Sequence, residues 1–156
     1  MNPINPMNRE VVLTRIFDAP RELVFKAWTD PVHVQRWWGP RVFTNPVCEL
    51  DVRPGGALRI VMRSPDGSDY PMTGVYQEII APERLVFSAT ALDDQDRPLL
   101  EVLTTVTFAE HAGKTRLTVQ ANGTGLVPIA AQMLEGMEAG WSQSLDGLAE
   151  ELERIR

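Results

Sequence analysis

One cysteine, Cys48, stands in the whole 156-residue chain. No intramolecular disulfide can close, a cysteine-rich metal cluster is excluded, and the solitary thiol suits a reducing compartment. Histidine is nearly as scarce: His33 and His111 are the two, too few and too scattered for a two- or three-histidine metal site, and both read as surface residues. No run of about 18 apolar residues offers a membrane helix, and no charged-then-apolar segment opens the chain as a secretion signal does. A cytoplasmic location without a membrane partner is the expectation. Cationic surface is lacking as well, since 21 acidic residues outnumber 15 basic ones for a net charge of -6. That balance excludes the basic footprint needed to bind nucleic acid.

What is present is the composition of an ordinary globular domain, 44% apolar and 23% charged, at a length that favours one core over two. Residues 1–9 hold two prolines and no periodicity and read as a mobile tail, leaving 10–156 as a single domain. Glu10 to Phe17 is rich in β-branched residues and reads as a strand stopped by Asp18-Ala19-Pro20. Leu23, Val24, Ala27 and Trp28 then recur at helical spacing. A second short helix starts at Asp30-Pro31, carries Val34, Trp37 and Trp38, and ends at Gly39-Pro40.

Over the next eighty residues the period drops to about two, in segments parted by Pro54-Gly55-Gly56, Pro65-Asp66-Gly67, Ala81-Pro82, Asp93-Asp94 and His111-Ala112-Gly113. They read as a meander of hairpins, and after Asn122-Gly123-Thr124-Gly125 the period returns to helical. Val127, Ala130, Leu134, Met137, Trp141, Leu145, Leu148, Leu152 and Ile155 return to steps of three and four. This predicts one amphipathic helix of roughly seven turns.

The fold class that follows is α+β: a curved antiparallel sheet of six or seven strands wrapped around a long C-terminal helix, with two short helices after the first strand. A sheet of this size curls, and one helix does not fill its concave side, so an apolar cavity is expected between them. Its expected walls are Trp38, Phe43, Met62, Met72, Tyr76, Phe87, Met133, Met137 and Trp141. Methionine adapts to variable shapes; each one alone is more often plain core, and the grouping is what favours a cavity. Gly136 and Gly140 weaken the helix, which fits either close approach of the sheet or of a ligand there or simple tolerance.

Catalytic groups are sparse. Cys48 is more often a buried small residue than a nucleophile. Glu49 and Asp51 lie opposite in parity to Leu50 and Val52 and so face solvent, with Arg53 a same-face partner for Asp51. Tyr70 and Tyr76 offer phenols either as polar anchors or for structural bonds to backbone, and the inward strand positions Leu58, Ile60, Met62, Leu85, Phe87, Val106, Phe108, Leu117 and Val119 carry no ionisable side chain. No catalytic residue, metal or cofactor is assigned.

Arg15-Ile16-Phe17-Asp18-Ala19-Pro20, Ala27-Trp28-Thr29-Asp30-Pro31, Trp37-Trp38-Gly39-Pro40, Asp51-Val52-Arg53-Pro54-Gly55-Gly56, Gly74-Val75-Tyr76-Gln77-Glu78-Ile79, Pro82-Glu83-Arg84-Leu85-Val86-Phe87 and Gly140-Trp141 follow one another across most of the chain. In that order they resemble bacterial relatives of the activator of the heat-shock-protein-90 ATPase, within the helix-grip superfamily of START domains and birch-pollen-type allergens. The resemblance implies the helix-grip fold, an internal cavity for hydrophobic ligands and a link to stress response, but no catalytic set. The expected function is therefore binding of a small hydrophobic or aromatic molecule, as carrier or sensor, in a protein for which a homodimer is open. The alternatives are a cyclase- or hydratase-type enzyme using the same cavity and a chaperone-interacting accessory protein.

Overall fold

A computed structural model describes residues 7–156; the expected tail lies outside them except for its last three residues. Seven strands form one antiparallel sheet: β1 (Asn8–Phe17), β2 (Thr44–Leu50), β3 (Ala57–Arg63), β4 (Asp69–Ile80), β5 (Arg84–Leu92), β6 (Pro98–His111) and β7 (Lys114–Gly125). Their order across the sheet is β1-β7-β6-β5-β4-β3-β2, a meander from β2 to β7 that β1 closes by pairing with β7. Register breaks in β2, in β4 and at the end of β5 let the strands bend, as bulges do.

Strand β1 starts at Asn8, two residues before the expected Glu10, because Asn8 and Arg9 pair with Thr124 and Gly123. The run Asn122-Gly123-Thr124-Gly125 is accordingly the end of β7. Its glycine serves packing: a Cβ at Gly123 would stand 2.6 Å from the Leu134 side chain and 3.3 Å from the Met137 sulfur. The helices press on bare backbone there.

Helices α1 (Arg21–Thr29) and α2 (Pro31–Trp37) follow β1. Asp30 caps α2 by accepting from the Val32 N–H at 2.9 Å, with Pro31 at the first helical position as expected. The C-terminal helix departs from the reading as one rod. It is divided into α3 (Ala130–Glu135) and α4 (Met137–Ile155) at Gly136. Gly136 weakens the helix, and the Arg9 guanidinium donates to the Leu134 and Glu135 carbonyls at 2.8 Å each. It so satisfies the end of α3 in the way a cationic cap does.

Leu145, Leu148 and Leu152 of α4 are buried against Val24, Ala27, Trp28, Val34 and the inner sheet face. Each contributes about 1.5–3 kcal/mol by leaving water. Arg15 on β1 fixes the helix rotation by reaching Asp146 and the Ser142 hydroxyl, both at 2.8 Å. At Gly147 a Cβ would meet the Trp37 carbonyl at 3.0 Å, so the glycine lets α2 approach α4 closely.

Below it Glu151, 1% exposed, accepts from His33 Nδ1 at 2.8 Å, Arg36 at 3.4 Å and Arg154 at 2.6 Å. A buried carboxylate persists only with such pairing. His33 is thus no free surface residue: its side chain is 13% exposed and ties α2 to α4.

Candidate functional site

The inward rows of the strands explain where the molecule is hollow. Along β5 they run Leu85, Phe87, Ala89, Ala91, and along β7 Leu117, Val119, Ala121, Gly123, so both shrink in the chain direction. Between them β6 runs antiparallel to both, pairing Thr104 with Phe87 and Ala121, and Val102 with Ala89 and Gly123. The small side chains therefore gather at one end of the sheet. The large ones meet α1, α2 and the leucines of α4 at the other, in a solid core where Phe108 lies 5.2 Å from Phe25 and Trp37 lies 4.7 Å from Trp28, ring centre to ring centre.

Over the thinned end lie α3, the start of α4 and the segment after α2, leaving a cavity of about 230 Å³ that opens to solvent. Its walls include Trp38, Met62, Met72, Phe87, Met133, Met137 and Trp141, seven of the nine side chains anticipated. The Trp38 and Trp141 rings meet edge to face at 5.5 Å, and Trp141 stacks on Trp28 at 6.0 Å. Gly39 and Pro40 close the rim; Gly39 donates its N–H to the Ser144 hydroxyl at 3.0 Å, and Arg41 its own to the Gln143 side chain at 2.9 Å. These bonds strap the rim segment to α4.

Two anticipated walls lie elsewhere. Phe43 sits outside, its ring 5.9 Å from that of the exposed Tyr70, because the chain turns outward after Pro40. Tyr76 is buried behind Phe87, with ring centres 6.3 Å apart, and lines a separate void of about 10 Å³ with Trp28, Trp38 and Leu58, room for about one water. Tyr70 anchors nothing inside. In return the cavity takes in Ala89, Ala91, Leu100, Val102, Thr104 and Ser144, which were not expected, and Gly140, where a ligand was one of the two close neighbours the sequence allowed. The shrinking inward row of β5 was the available signal for the first two.

None of the lining side chains is ionisable. Among the described residues no group of three or more histidines, cysteines, aspartates or glutamates is placed to hold a metal ion, and no helix is long and apolar enough to cross a membrane. Glu49 and Asp51 are exposed, and Asp51 pairs with Arg53 at 2.8 Å, as their parity implied.

Burial, followed by the charge of Glu49, pushes the Cys48 thiol from its ordinary 9.0 up to about 11, and burial likewise raises the Tyr76 phenol. A thiol held protonated is a poor nucleophile. Its alkylation at pH 8 is expected to be slow in native protein and to become fast in urea; equal rates would contradict the burial. Because the folded form keeps its proton where the unfolded form has lost it, the stabilisation is intact below pH 9 and is lost as pH rises towards about 11. Denaturant midpoints across that window measure it, with Cys48→Ser flattening the slope.

The family model described as "Activator of Hsp90 ATPase homolog 1-like protein" matches residues 18–153. Among solved structures, the chain is similar to the AHSA1 protein of Silicibacter pomeroyi, at 28% identity over 95% of this chain and 100% of that one with a TM-score of 0.81. It is also similar to a protein of Chromobacterium violaceum, at 29% identity over 92% and 96% with a TM-score of 0.78. A protein of Rhizobium leguminosarum shares 25% identity over 94% and 95%, with a TM-score of 0.82. Among curated proteins none matches the sequence.

Proposed function

Because the chain belongs to the family of activator of Hsp90 ATPase homolog 1-like proteins, we propose that it uses the cavity over the thinned end of its sheet to bind a small hydrophobic or aromatic molecule, as a carrier or sensor. The observation that carries this reading is the cavity itself: about 230 Å³, walled by tryptophan, phenylalanine and methionine, with no ionisable side chain on it. Concave, mostly apolar pockets with few polar groups are the general form of small-molecule sites. Four methionines, two from strands and two from α3 and α4, supply a wall that adjusts to its occupant.

A cyclase or hydratase would need a proton-moving group facing the bound molecule. The ionisable side chain nearest in kind, Tyr76, lies behind Phe87 with its phenol held protonated by burial. Binding without chemistry is the simpler use of such walls.

Naphthalene titrated into ¹⁵N-labelled protein is expected to move the indole N–H signals of Trp38 and Trp141 saturably while leaving that of Trp37, whose N–H is donated to the Ala27 carbonyl at 2.9 Å, in place. Native mass spectrometry of protein purified from its own host is expected to retain a small molecule. A protein that takes up no apolar probe in the first experiment sinks the reading.

A further inference from the structure

The cavity wall carries a hydroxyl that makes no hydrogen bond to the protein. Thr104 lies mid-strand in β6, on the inward row with Leu100, Val102, Val106 and Phe108; it is 1% exposed and lines the cavity. No hydrogen bond from its hydroxyl is present among the described residues, and it is not one of the fully enclosed unpaired side-chain atoms, which are Trp28 Nε1 and Asn45 Oδ1; it is reached from the cavity. The other buried threonine, Thr115, donates to the Ala19 carbonyl at 2.7 Å, and the other hydroxyl on the wall, Ser144, is engaged by the Gly39 N–H. A hydroxyl on an otherwise apolar wall is hydrogen-bonded only by what the cavity holds, and valine has nearly the same shape without that need. An unpaired group facing a cavity is paired by what enters it.

Size and charge narrow the occupant further. An apolar cavity of about 150 Å³ takes up benzene; scaled to about 230 Å³, the space holds roughly nine or ten non-hydrogen atoms, a fused two-ring aromatic. A carboxylate or ammonium held at the end marked by Thr104, which is 1% exposed, would be desolvated with no counter-charge on the wall.

We infer that the ligand is a neutral aromatic molecule of about two fused rings bearing one hydroxyl or carbonyl group, which pairs with the Thr104 hydroxyl. This rests on the binding role proposed above. Trp38, Phe87 and Trp141 supply aromatic surface for the rings, and Thr104 selects among molecules of equal size by their single polar group.

The test compares naphthalene, 2-naphthol and 2-naphthoate on the wild type, Thr104→Val and Thr104→Ser by isothermal titration calorimetry. Thr104→Val is expected to weaken 2-naphthol roughly three- to tenfold, the worth of one net hydrogen bond, while naphthalene stays within about twofold. Thr104→Ser keeps the hydroxyl and most of the preference for 2-naphthol. On the wild type, 2-naphthoate is expected to bind at least about a hundredfold more weakly than 2-naphthol. An unchanged 2-naphthol affinity in Thr104→Val, or 2-naphthoate binding as well as 2-naphthol on the wild type, overturns the inference and leaves the cavity's role standing. If neither naphthalene nor 2-naphthol binds the wild type, the proposed function falls with it. The wild-type ligand series decides the charge claim even if a variant fails to fold.

Discussion

Gly140→Phe is expected to abolish uptake of naphthalene, a loss of roughly a hundredfold or more in affinity, in a protein that still folds. Gly140 lies on α4 within the cavity wall, and a Cβ built on it meets nothing within 4 Å. A side chain there grows into empty space instead of into a neighbour. A phenyl ring needs about 150 Å³ of apolar room, the greater part of the roughly 230 Å³ available, so no two-ring ligand fits beside it. Gly140→Ala is the control. It should stabilise the helix by about 0.5–1 kcal/mol and leave binding within a few-fold. Titration calorimetry and a urea melt on both variants check this, and Gly140→Phe binding naphthalene as the wild type does would place the ligand elsewhere.

Phe108→Ala should produce the largest loss of stability, about 3–5 kcal/mol. The ring is 2% exposed at the solid end of the sheet, edge-on to Phe25 at 5.2 Å and to Trp28 at 6.3 Å. Aromatic pairs of this geometry add about 0.5–1.5 kcal/mol to the burial term, and α1 is held to β6 through them. Against a total stability of about 5–15 kcal/mol, such a loss shifts the urea midpoint strongly with little change in slope. Since Trp28 also stacks on Trp141, the same variant is expected to weaken naphthalene binding. A change below about 1 kcal/mol would mean that Phe108 is not in the core.

Much of this architecture was legible in the order of residues because period reports burial directly. Alternation of Leu58 with Arg59 and of Val106 with Thr107 marks strands with one covered face, and the steps from Leu145 to Leu148 and Leu152 mark a helix with one covered stripe. Glycine was less informative, since the residue alone does not say why it is needed. Gly123 lies in β7 where Leu134 and Met137 press on the strand, and Gly136, inside the helical period, ends a helix. In each case the deciding partner, a helix from further along the chain or Arg9 from its start, is more than ten residues away.

The candidate site divides along the same line. Trp38, Met62, Met72, Phe87, Met133, Met137 and Trp141 were found as large apolar residues on inward faces, and they meet at the cavity. Phe43 and Tyr76 satisfied the same criterion, yet one turns outward and the other lies behind Phe87. Glu151 went unremarked although it stands three residues beyond Leu148, on the covered stripe, where an acid must find cationic partners.

By itself the sequence determined an antiparallel meander and the helices that cover it, because periodicity and side-chain polarity are properties of each segment alone. Only the tertiary structure decided that the sheet is thinned at one end, that Thr104 is left unpaired there and that His33 and Arg36 enclose Glu151. A void and an unsatisfied hydrogen bond are properties of what several distant segments fail to fill or to pair, and strand register and helix placement alone settle that.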